Sequence, residues 1–96
     1  MEIVDAKTRL KVYQGAYESL EQTKFRGLCA AIARAFEREV GHTMGWQISY
    51  YPEVVALNPH KDFPWWWDPD NLAVRLGALE KAIKAVKLKI EADDKD

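Results

Sequence analysis

Cysteine and histidine are scarce in this chain, and each scarcity excludes a class of chemistry. The single cysteine, Cys29, cannot form an intramolecular disulfide, which implies a reducing compartment. The two histidines, His42 and His60, stand 18 residues apart and match no common zinc spacing. There is no glycine-rich phosphate loop, no His-Glu-x-x-His, no Cys-x-x-Cys and no nucleophile elbow. Nothing pairs a nucleophile with a base, so neither an enzyme, a cofactor nor a metal is expected. No apolar run approaches the roughly 18 residues that span a bilayer. The Met-Glu-Ile-Val-Asp start also lacks the basic-then-apolar layout of a signal peptide. Cytoplasmic localisation without membrane association is the expectation.

An excess of charge of one sign is missing as well. Fourteen Lys+Arg against 15 Asp+Glu leave a net charge of −1, without the basic footprint of a nucleic-acid binder. Hydrophobic residues at 48% and charged residues at 30% are ordinary globular proportions, so a folded core is expected and disorder is not. Ninety-six residues suffice for one domain.

What is present is helical periodicity. Ile3, Ala6, Leu10, Tyr13, Tyr17 and Leu20 recur at three- and four-residue steps, leaving Val12 off the stripe. Gly15 predicts a bend or a late start in this helix. Thr23 is a candidate N-cap for a second helix. There Phe25, Leu28, Cys29, Ile32, Phe36 and Val40 share an arc of about 120°, which makes Cys29 a small core residue. Gly41 should close this helix in a left-handed cap. Residues 46–50 alternate in polarity as a short strand would, but no second strand signal offers a partner. A loop leading to a short helix over Pro52–Leu57 is preferred, with Ser49 or Tyr50 near its cap and Pro52 in its first turn.

Three of the four prolines fall between Asn58 and Asp70, which reads as a long loop. Asp68-Pro69 then predicts the start of a last helix. Its seam of Leu72, Leu76, Leu79, Ile83, Val86 and Ile90 suits packing against other helices. The expected fold is all-α: a small helical bundle of three long helices plus one short helix, with a long Trp-rich loop before the last helix. Residues 1–91 form the domain and 92–96 a frayed charged tail.

Two features exceed what packing requires. Val74, Ala78, Ala82 and Ala85 flank the last seam. Either alanine serves there as the best helix former, or the flank admits another helix, in the monomer or across a homo-oligomer. Arg75 falls within the same apolar arc and needs an anion. Either it bridges to Glu53 or Asp62, or it meets a phosphate or carboxylate of a ligand.

The chemically unusual segment is His60-Lys61-Asp62-Phe63-Pro64-Trp65-Trp66-Trp67. Neighbouring side chains diverge, so three consecutive tryptophans cannot all enter one core from a loop. Two rings plugging the bundle's end would satisfy a small domain's need for area. A ring left over would serve as a stacking platform or a protein hot spot. The candidate ligand-binding set is therefore Trp65, Trp66, Trp67, His60, Lys61, Arg75 and Tyr51, with Tyr50 and Trp46 extending the surface.

Gly27-Leu28-Cys29-Ala30-Ala31-Ile32, then Tyr51-Pro52-Glu53, then Trp65-Trp66-Trp67 followed by Arg75, Leu76, Leu79 and Ile83 resemble a loose group of short phage and prophage accessory proteins. The resemblance covers roughly residues 24 to 84 and carries no catalytic residue. It implies action by binding. The chain would counter host defence by sequestering a nucleotide-like small molecule, or by inhibiting a host defence protein. A structural or virion-associated helical module is the remaining class.

Overall fold

The computed structural model describes residues 5–23, 27–41, 51–57 and 71–94. These contain four helices and no strand: α1 (Ala6–Thr23), α2 (Leu28–Val40), α3 (Pro52–Val55) and α4 (Leu72–Asp94). The all-α class is as expected. The expected strand-or-loop stretch, residues 46–50, and the Trp-rich loop lie outside the described residues.

The helix boundaries follow from local capping chemistry. Asp5 starts α1 by accepting the Thr8 backbone N–H at 2.8 Å, and hydrogen bonding from Thr8 lowers the Asp5 carboxyl below its usual range. Gly15 does not delay or end this helix. Thr23 closes α1 rather than capping α2, whose N-cap is Gly27 with no side-chain cap. Gly41 ends α2 at φ 90°, donating its N–H to the Glu37 carbonyl, as the αL cap requires. Tyr51 is the N-cap residue of α3 and Pro52 holds its first position, while Ser49 and Tyr50 lie outside the described residues. Asn71 caps α4 through its Oδ1, 2.8 Å from the Ala73 N–H, while Asp68 and Pro69 lie outside the described residues. α4 runs to Asp94, into the segment expected to fray.

α1 is the middle helix and packs against both α2 and α4. The Tyr17 hydroxyl donates to Glu80 at 3.0 Å, and Arg9 shares a carboxylate with Lys89, so α4 runs antiparallel to α1. Gly15 faces Ala35, and Ser19 faces Arg34, so α2 also runs antiparallel to α1. Val12, off the large apolar stripe, is buried because a helix held between two neighbours covers a wider arc than one stripe.

The buried faces do not centre on the large side chains. In α1 the buried set is Val12, Tyr13, Ala16 and Leu20; in α4 it is Ala78, Leu79, Ala82 and Val86. At 100° per residue each set is turned about 65–75° from the seam of larger apolar residues. In α2, Ala31 and Ala35 are likewise buried, whereas Cys29 lies to one side and is only half-buried. This corrects its assignment to the core. Small residues let helix axes approach closely, and the larger side chains then fill the flanks. The alanine flank of α4 is used within the monomer: α3 packs on α4, Glu53 meets Lys89, and Leu57 borders a groove with Gly77 and Ala78.

Candidate functional site

Of the seven residues singled out in the sequence, Trp65, Trp66, Trp67, His60 and Lys61 lie outside the described residues. Arg75 is half-buried and Tyr51 is buried, so the two do not form one exposed surface. Arg75 sits in the first turn of α4, half-buried, with its N–H donated to the Asn71 carbonyl. A bridge from Arg75 to Glu53 is ruled out by length. Glu53 is held at Lys89, and the 14 residues from Arg75 to Lys89 span about 21 Å of helix. By the antiparallel register, Arg75 stands near the end of α1 and Glu53 near its beginning.

Tyr51 is not a free stacking face. It is buried in the core beside the α3 start, with only 2% of its surface exposed. Its hydroxyl finds no hydrogen-bond partner among the described residues. Burial, with a smaller contribution from the nearby Cys29, pushes its phenol up to about 12.

The Glu53 carboxylate gathers donors from α1 and α4 among the described residues. Glu53 occupies the first turn of α3, just after Pro52, where a carboxylate complements the helix N-terminus. Arg9 donates to it through Nε at 2.9 Å and Nη2 at 2.8 Å, the fork-on-carboxylate arrangement. The Tyr13 hydroxyl, one turn along α1, adds a bond to Oε1 at 2.7 Å. Lys89 of α4 donates to Oε2. The Glu53 side chain is fully buried and that of Arg9 is 12% exposed, whereas that of Lys89 is 53% exposed.

Burial alone would push the Glu53 carboxyl up. The donors from Arg9, Lys89 and Tyr13 outweigh it and hold the group at about 2. Burial, reinforced by the bond to Glu53, raises the Tyr13 phenol far above its ordinary value. A carboxylate so acidic, with donors on both oxygens, does not exchange protons near neutral pH. Its role is mechanical: it ties α1, α3 and α4 together at one end of the bundle. Arg9, four residues before Tyr13 of the apolar stripe of α1, was the signal available in the sequence for this centre.

Among the described residues no three His, Cys, Asp or Glu side chains cluster as metal ligands. None of the described helices is long and apolar enough to cross a membrane. Comparison of the chain with family models, curated proteins and solved structures gives no match.

Proposed function

We propose that the chain acts by binding, as an accessory protein of the phage type it resembles, countering host defence by sequestering a nucleotide-like small molecule. The observation that carries this reading is the position of Arg75. It is a half-buried arginine in the first turn of α4, at the bundle end away from the Glu53 tie. Chain order puts Trp65, Trp66 and Trp67 shortly before that turn. A guanidinium suits the phosphate of such a ligand, and a tryptophan ring suits its base. Self-association through α4 belongs to the same reading. Val74 and Leu88, on the outer side of α4, are the large apolar side chains left exposed among the described residues.

Thermal-shift titration with cyclic nucleotides and ADP-ribose derivatives tests the reading. One of them should raise the melting temperature, and Arg75→Ala should abolish that shift without lowering the melting temperature of the free protein by a comparable amount. No shift with any of them, together with co-purification of one host protein, decides for a protein inhibitor. Sedimentation showing only monomer at high micromolar concentration removes the assembly.

A further inference from the structure

A second polar surface lies between α1 and α2, away from both the Glu53 tie and α4. Ser19, Arg34, Glu37 and Arg38 line a groove of about 340 Å³ there, a size that accommodates a small ligand. Arg34 and Arg38 stand one turn apart on α2, where like charges repel. Neither makes an ion pair or a side-chain hydrogen bond with any described residue. The surface carries two unneutralised guanidinium groups in a protein whose overall charge is −1.

The Arg38 side chain is laid across α1. A Cβ added at Gly15 would stand 3.1 Å from Arg38 Nη2 and 3.3 Å from the Ala35 Cβ. Glycine at position 15 thus gives the guanidinium a place to lie beside the groove.

We propose that the groove formed by Ser19, Arg34, Glu37 and Arg38 binds a small hydroxyl-bearing phosphate ester such as a nucleoside monophosphate. Two planar guanidinium forks on adjacent turns, both lining one groove, suit the oxygens of a phosphate group. The Ser19 hydroxyl lies in the same lining. Glu37 sets the ligand class: its carboxylate repels a bare phosphate but accepts hydrogen bonds from sugar hydroxyls. The groove uses none of the residues assigned to the tryptophan segment, so it stands independently of that reading.

Titration of the full chain with adenosine 5′-monophosphate, inorganic phosphate and adenosine, followed by calorimetry and by amide shifts of α1 and α2, tests the proposal. The monophosphate should bind at least about tenfold more tightly than either of the others, shifting amides around Ser19 and Arg34–Arg38. The double variant Arg34→Ala, Arg38→Ala should weaken that binding by tenfold or more. Both side chains are exposed, so circular dichroism should report an intact fold. Glu37→Gln should weaken the monophosphate and strengthen inorganic phosphate. Monophosphate binding unchanged in the double variant, or no shift in these amides, overturns the proposal. Inorganic phosphate binding as well as the monophosphate overturns the assignment of an ester. Loss of binding in Arg75→Ala but not in the double variant overturns the groove and supports the tryptophan segment instead.

Discussion

Arg9 holds Glu53 through two nitrogens, Nε and Nη2, across 44 residues of sequence. The first helix is thereby bonded to a four-residue helix that is too short to be stable alone. Lys89 adds the last helix to the same carboxylate. The pair is buried on both sides, so the consequence of breaking it depends on which partner remains.

Glu53→Ala should destabilise the fold by about 3–5 kcal/mol, because the Arg9 guanidinium loses the buried carboxylate that it meets through two nitrogens. Lys89→Ala should cost below about 1 kcal/mol, since more than half of that side chain is already in water. Replacing Arg9 and Glu53 together by Met and Leu should recover most of the loss, as buried pairs exchanged for apolar groups often do. Urea unfolding of the four proteins measures all three. Equal losses for Glu53→Ala and Lys89→Ala would contradict this ordering.

Stability should fall on acidification through the same carboxylate. Its pKa is about 2 in the fold against 4.5 for the ordinary group. The contribution is fully present above pH 4.5 and is lost progressively as pH falls toward 2. Allowing for solvent reaching the cluster around Lys89, the loss attributable to Glu53 is roughly 2 kcal/mol. Urea midpoints at pH 7 and pH 3, compared with those of the Arg9→Met, Glu53→Leu protein, isolate it. The double variant should show the smaller drop.

The two core tyrosines should respond in opposite ways to loss of the hydroxyl. Tyr13→Phe removes a donor from a buried carboxylate and should cost about 1–3 kcal/mol. Tyr51→Phe removes a buried hydroxyl that has no partner among the described residues, and should be neutral or stabilising. In the wild type both phenols are raised, chiefly by burial, and stay protonated in the fold above pH 10. The unfolded chain ionises its tyrosines near pH 10, so stability should decline as pH rises beyond that value. Tyrosinate absorbance should therefore appear together with loss of helical circular dichroism.

These residues also show what periodicity carries and what it does not. The helical class, the Gly41 cap and the Pro52 start are local, and each could be read from a few neighbouring positions. Which helix face is buried is not local. Counting large apolar residues favoured the Leu72–Ile90 seam, whereas the α4 core includes Ala78 and Ala82 because close approach selects small side chains. Partner choice across helices is less local still. Arg75 and Arg9 are equivalent as cations needing an anion, and only the antiparallel register puts Arg9 beside Glu53. The described part of the candidate site divides in the same way: Arg75 stands half-buried at the turn where a ligand contact was expected, whereas Tyr51 joined the core.

The glycines of α1 and α4 give a final contrast. Gly77 lies inside α4, and an added Cβ there would meet nothing within 4 Å among the described residues. Gly77→Ala should therefore stabilise the protein by about 0.5–1 kcal/mol, through helix propensity and a less flexible unfolded chain. Gly15 has the same propensity cost but sits against α2. An alanine there would place its Cβ 3.3 Å from that of Ala35, closer than ordinary contact, and would displace the tip of Arg38. The arginine tip can move at little cost, whereas Ala35 can yield only if the helices shift by a few tenths of an ångström. Gly15→Ala should thus gain clearly less than Gly77→Ala. Gly15→Val, with two further methyl groups directed at the same contact, should destabilise by about 1–3 kcal/mol. Denaturant midpoints for the three variants provide the measurement. A Gly15→Val protein as stable as wild type would mean that α1 and α2 do not approach at this position.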